Sequence, residues 1–99
     1  SEGLMEQADA KGAQYERRLV GHPAVREIRR TGLLMGVEFG DPALTQRIVL
    51  RAVERGLMTE WFLFRDTAMR IAPPLTITPA EIDESCDILL DVLREVTGS

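Results

Sequence analysis

Cysteine, histidine, lysine and aromatic residues are all scarce in this chain, and each shortage narrows what it does. Cys86 stands alone, so no disulfide forms within the chain. His22 is the single histidine and lies far from Cys86 in sequence, so no zinc site is expected and no metal ligand is assigned. Lys11 is the only lysine among 12 basic residues, the formal net charge is −4, and no basic face is concentrated enough for nucleic acid. No apolar run nears the roughly 20 residues of a membrane span. No basic leader with an apolar core is seen, so neither a membrane nor a secretion signal is expected, and the expected location is cytoplasmic. Glycine-rich phosphate loops, the GxSxG elbow and CxxC pairs are absent as well.

What is present is an ordinary globular composition. With 99 residues, 44% apolar and 28% charged, residues 1–99 suit one domain with one small core. Leu4, Ala8, Tyr15 and Leu19 recur at helical intervals, which predicts a helix over 3–20 ended by Gly21 and Pro23. Gly12 weakens that helix by about 1 kcal/mol relative to alanine, either to let something approach or for no structural reason. Val25 and Ile28 begin an extended segment broken at Thr31-Gly32. Residues 33–39 then alternate, with Leu33, Met35, Val37 and Phe39 on one face and Leu34, Gly36 and Glu38 on the other. Asp41-Pro42 is an N-cap and first-turn signature, and Gly56 closes that helix.

Residues 57–64 and 68–72 read as strands joined into a hairpin by the polar turn Arg65-Asp66-Thr67. Thr78-Pro79-Ala80-Glu81 writes a capping box, with Ile77 and Ile82 placed for a hydrophobic staple. Ile82, Cys86, Leu89, Leu90 and Leu93 form the buried stripe of the last helix, which makes Cys86 an inert buried thiol. The order of elements predicts an α/β (α+β) two-layer sandwich: a small, mainly antiparallel or mixed sheet covered on one face by helices. The stretches 33–39 and 57–64, joined through a helix, can run parallel within it.

Arg70 is the candidate for chemistry. It interrupts the apolar run Met69-Arg70-Ile71-Ala72 just before Pro73-Pro74. Its guanidinium is a rigid donor fork suited to a carboxylate or phosphate. The alternation alone equally allows a solvent-facing arginine. Glu38 is either solvated or paired with an arginine on a neighbouring strand. Trp61, Phe62 and Phe64 are either core or packed against a second domain; with Leu63 they make both faces of their strand apolar, more than a one-sided sheet needs, which is a reason to consider an interface. His22 reads as a helix-end residue, Arg26, Arg29 and Arg30 as a solvated group, and Asp83 and Asp87 as an outer helix face. Lys11 has no setting that would activate it for imine chemistry.

Several segments together resemble the C-terminal small domain of class III (omega-type) aminotransferases, the acetylornithine- and ornithine-aminotransferase-like group of fold type I pyridoxal-phosphate enzymes. They are Glu2-Gly3-Leu4 through Leu19, His22-Pro23-Ala24-Val25, Ile28 through Phe39, and Arg70-Ile71-Ala72-Pro73-Pro74-Leu75-Thr76-Ile77-Thr78. The resemblance departs at Arg30, where that family commonly has glycine, and in the aromatic stretch 58–65.

The resemblance implies a transferase that moves an amino group between an amine or amino acid of ornithine, acetylornithine or diamine type and a 2-oxo acid such as 2-oxoglutarate. Its cofactor is pyridoxal 5′-phosphate, and its partners are a large domain of the same polypeptide and a second subunit in a homodimer. It also implies that Arg70 binds substrate by holding a carboxylate. The catalytic lysine and the cofactor-binding residues belong to the large domain. Hence no catalytic or cofactor-binding residue is assigned here, and residues 1–99 alone are expected to be inactive. The alternative is a stand-alone carboxylate-binding or protein-interaction module without catalysis.

Overall fold

Three helices cover one face of a four-stranded sheet, and the opposite face is open. The structure is a computed structural model that describes residues 3–58 and 60–99. In chain order it contains α1 (Leu4–Leu19), β1 (Glu27–Thr31), β2 (Leu34–Glu38), α2 (Pro42–Glu54), β3 (Phe62–Arg65), β4 (Ala68–Ile71) and α3 (Pro79–Thr97). The sheet order is β1-β2-β4-β3, and every neighbouring pair is antiparallel. β2 and β3 do point the same way, but β4 lies between them, so the sheet is not mixed. The helix-covered face carries Met35, Val37, Phe62, Met69 and Ile71, all at 2% exposure or less. Tyr15 and Leu19 of α1, Ile48 and Ala52 of α2, and Ile82, Cys86, Leu89, Val92 and Leu93 of α3 close over them.

The local signals explain most boundaries. The Asp41 carboxylate accepts the Leu44 N–H at 2.7 Å, with Pro42 opening α2. At α3 the box is reciprocal: Thr78 Oγ1 accepts the Glu81 N–H at 3.1 Å, and Glu81 Oε1 accepts the Thr78 N–H at 2.8 Å. Gly32 takes φ +59° at the first central position of the β1–β2 hairpin, where primed turns favour glycine, and this puts Leu33 in the turn rather than the strand. Asp66, also at positive φ (59°), turns β3 into β4.

Two expectations need correction. The strand expected over 57–64 is β3, Phe62–Arg65, and of the earlier stretch Thr59 lies outside the described residues, as does Glu2 of the resemblance. The Leu57 N–H returns to Ala52 O at 3.0 Å, and the Trp61 and Phe62 N–H groups return to Met58 O at 3.1 and 3.2 Å. Those donors close turns and are spent before a sheet ladder can use them. The apolar N-terminal end of α1 is not buried either: Leu4 is 44% and Met5 84% exposed.

Candidate functional site

Strand alternation assigns the charged residues of the sheet, Arg30 excepted, to its open side. Met69 and Ile71 are fully buried, so Arg70 between them points the other way and is exposed. On that side Arg70 stands opposite Gly36 of β2 and Leu63 of β3, and Gly36 in turn stands opposite Arg29 of β1. The next row along the same face is Glu27, Glu38, Ala68 and Arg65. Gly36 and Ala68 are small, and above them opens a recess of about 440 Å³ walled by Arg29, Leu34, Arg65 and Arg70. A Cβ built on Gly36 would meet only Arg29 Nη2 within 4 Å, at 3.9 Å. The glycine therefore keeps space in front of Arg70 rather than relieving a clash.

The charges on this face divide unevenly. Glu38 binds Arg29 Nη2 at 3.1 Å and accepts the Gly40 N–H at 2.9 Å. A Thr67 side-chain hydrogen bond, then Arg29 and the Gly40 N–H, hold its carboxyl below the usual glutamate range. Glu27 also lies 3.4 Å from Arg29. Both acids of the face are thus committed to Arg29. Among the described residues Arg70 has neither an ion-pair nor a hydrogen-bond partner. An unpaired guanidinium over an open, small-floored recess is chemically an anion receptor.

The other singled-out residues are structural. The Lys11 amine donates to Leu75 O at 2.5 Å on the helix side of the sheet. Asp83 and Asp87 both grip Arg18, joining α1 to α3. His22 accepts the Ala24 N–H on Nδ1 at 3.0 Å, and its buried Nε2 has no partner among the described residues. Burial pushes the Cys86 thiol up to about 12. Phe62 is core, whereas Leu63 and Phe64 are 45% and 42% exposed.

Arg30 does not belong to a solvated group. It bonds Glu16 at 2.8 Å, Asp9 at 3.0 Å and Gly32 O at 2.8 Å, clamping β1 to α1. Sequence reasoning missed two features. One is the buried pair in which Tyr15 O–H meets Ser85 Oγ at 2.9 Å while Ser85 donates to Ile82 O. The other is the placement of Arg65 on the recess wall. The alternation of β3 held that second signal, since Arg65 shares parity with Leu63.

This donor set does not fit pyridoxal phosphate: the single lysine is engaged with Leu75 O away from the recess, and the recess offers arginines but no amine. No chemical step is therefore assigned to the cofactor through these residues. Among the described residues no cluster of His, Cys, Asp and Glu could hold a metal, and no helix is long and apolar enough to cross a membrane.

Comparison with known proteins gives a consistent picture. The family model for class-III aminotransferases matches residues 1–93. The chain is 38% identical over 99 residues to an acetylornithine aminotransferase of Caldanaerobacter subterraneus subsp. tengcongensis, covering 96% of this chain and 24% of that protein. It is 37% identical to a diaminobutyrate–2-oxoglutarate transaminase of Streptomyces anulatus, again over 96% of this chain and 24% of that one. Among solved structures, a thermostable omega transaminase variant from Pseudomonas jessenii superposes with TM-score 0.82 at 27% identity, over 98% of this chain and 24% of the other. The ornithine aminotransferase of Toxoplasma gondii superposes with TM-score 0.77 at 30% identity over the same shares. The chain spans about a quarter of the length of the relatives it matches.

Proposed function

The chain belongs to the class III aminotransferase family, and from that premise we propose that it is the C-terminal small domain of a pyridoxal-phosphate-dependent aminotransferase, in which Arg70 holds a substrate carboxylate. The observation that carries the reading is Arg70 itself, presented from an interior strand onto an open recess and left without an acid. Bidentate pairing with a carboxylate fixes both position and orientation of the bound acid, which is what an amino-group transfer needs from a residue remote from the reacting carbon. A ligand lacking the carboxylate would leave the guanidinium unpaired, so the same contact discriminates.

The relatives are named for ornithine, acetylornithine and diaminobutyrate, with 2-oxoglutarate as a named acceptor. We assign this protein the same class of reaction: an amino acid or diamine as donor and a 2-oxo acid as acceptor. Pyridoxal phosphate supplies the electron sink when bound, on residues of the large domain. Residues 1–99 alone are inactive in this reading, and the working form is a cytoplasmic homodimer of the full-length protein.

The test is made on that full-length protein. Arg70→Ala raises the KM for 2-oxoglutarate on the order of tenfold or more, the cost of losing a charge-assisted pair. Equal KM values would remove Arg70 from the site. Borohydride reduction with pyridoxal phosphate, followed by peptide mapping, marks a lysine outside residues 1–99. A mark on Lys11, or on none, would favour the stand-alone binding module instead.

A further inference from the structure

The aromatic stretch 58–65, where the resemblance departs, has no part in holding a carboxylate at Arg70. Two of its residues, Met58 and Trp61, line a cleft of about 190 Å³ together with Glu81, Glu84, Ser85 and Ile88 of α3. The four α3 residues recur at three- and four-residue spacing, so the helix supplies one continuous wall. Ser85 is 6% exposed and Phe62, which also borders the cleft, is on the helix-covered face of the sheet. The sheet therefore lies between this cleft and the recess at Arg70. Met58, Trp61 and Ile88 give the cleft an apolar wall, and its charged groups are all of one sign. Glu81 spends one carboxylate oxygen on the Thr78 N–H at 2.8 Å. Ser85 donates to Ile82 O and meets the Tyr15 O–H, so its hydroxyl keeps a lone pair but no proton for a further partner. Among the described residues neither Glu81 nor Glu84 makes an ion pair, and no basic side chain lines the cleft.

We propose that this cleft binds a small alkylammonium ion, its hydrocarbon body against Met58, Trp61 and Ile88 and its charge between Glu81 and Glu84. A primary ammonium carries three N–H donors and no acceptor, which matches a site whose carboxylates and hydroxyl lone pair can only accept. The indole of Trp61 adds a second attraction for a cation, one that an anion or a neutral guest does not receive. An anion is repelled by both carboxylates. The volume is well below the roughly 300–1,000 Å³ of pockets for drug-sized ligands, so the guest is limited to a few heavy atoms. The proposal draws nothing from Arg70 and stands or falls apart from the reading given above.

The test is calorimetric titration of the full-length holoenzyme with tert-butylammonium at pH 7, in an amine-free buffer of low ionic strength. The carbon that bears its nitrogen has no hydrogen to lose, so amino-group transfer does not consume the probe. tert-Butanol, with the same hydrocarbon body and no charge, is the control. tert-Butylammonium binds saturably with a Kd on the order of 1 mM, and tert-butanol binds at least about tenfold more weakly. Glu84→Gln, a change at an exposed position, weakens the ammonium about tenfold, and Trp61→Leu weakens it by roughly three- to tenfold. Equal binding of tert-butanol shows an apolar cleft with no preference for charge and overturns the proposal. So does the absence of saturable binding up to tens of millimolar. Unchanged affinity in Glu84→Gln overturns it even if Trp61→Leu weakens binding, because the probe is then held elsewhere and the change at partly buried Trp61 acts through the fold. Arg70→Ala leaves the affinity unchanged, and a loss there comparable to that of Glu84→Gln also overturns the proposal.

Discussion

Replacing Gly12 by alanine is a sharp test of how α1 meets the sheet, because two effects of opposite sign compete there. In an exposed helix interior alanine is favoured over glycine by about 1 kcal/mol, so helix propensity alone predicts stabilisation. The structure predicts the reverse. A Cβ on Gly12 would lie 1.9 Å from Gly32 O, 2.9 Å from Gly32 C and 2.9 Å from Arg30 Nη1. The first contact is with backbone, at a turn residue held at φ +59°, so it cannot be relieved by rotating a side chain. Moving the turn away also disturbs Arg30, which bonds Gly32 O at 2.8 Å and Glu16 at 2.8 Å.

Overpacking of this kind costs about 1–3 kcal/mol and occasionally more, which outweighs the propensity gain. The expected net loss is about 1–2 kcal/mol, or roughly 4–8 °C in Tm per kcal/mol for a domain of this size. The assay is urea and thermal unfolding followed by circular dichroism, with Ala10→Gly as the calibrating variant. Ala10 is an exposed position of the same helix, and its replacement reports the propensity term without the contact. A Gly12→Ala protein as stable as the parent, or more stable by the amount Ala10→Gly loses, would refute the close approach.

The buried Tyr15–Ser85 pair should show the asymmetry of a hydrogen bond in a dry core. Tyr15→Phe costs about 1 kcal/mol, Ser85→Ala costs more because it strands the Tyr15 hydroxyl, and the double variant recovers part of that, read from a double-mutant unfolding cycle. Cys86, fully buried with its thiol pushed up to about 12, should resist alkylation at pH 8 until the chain unfolds, so labelling at a rate comparable to a free thiol under native conditions would contradict its placement. Asp83 is held below the usual aspartate range by Gln14 and then Arg18, and Glu38 by Thr67 and then Arg29. Their contribution is therefore complete above the ordinary carboxylate pKa near 4 and is lost as pH falls through the lower folded values. Urea midpoints measured downward from pH 6 should fall there, and Asp83→Asn should flatten that decline.

What the sequence revealed follows from what it encodes locally. The Thr78–Glu81 box and the Asp41-Pro42 start are contained within four residues, so the helices they open are legible, and the 3.6-residue spacing of Ile82, Cys86 and Leu89 marks the buried face without reference to any partner. β3 was misplaced because its start is decided by where the Leu57, Trp61 and Phe62 N–H groups are satisfied, a matter of turns closed on Ala52 and Met58 rather than of side-chain pattern. Arg30 looked solvated because its partners, Asp9 and Glu16, lie on a helix far back in the chain. The recess has the same character. Arg70 stands out locally as an arginine inside an apolar run, but nothing local links it to Gly36 or Arg65, and only the register of three strands puts them together.

That register also fixes Arg70 on β4 more firmly than a loop would, which suits the carboxylate-holding role proposed for it. β4 has a hydrogen-bonded neighbour on both sides, and Met69 and Ile71 on its reverse are at zero exposure, so the Cα of Arg70 is fixed from three directions. Pro73-Pro74 then ends the extended run and frees no slack behind it. The remaining freedom of Arg70 is in its own side chain, which crosses a recess kept empty by Gly36. A fixed base with a movable tip can swing a guanidinium onto or off a carboxylate without disturbing the core. Residues larger than glycine at position 36 would remove that freedom while leaving the fold unstrained, since nothing but the tip of Arg29 lies within reach of a new Cβ. An alanine at position 36 would meet no clash, so close packing does not call for glycine there, and the space it leaves accords with the ligand proposed for Arg70.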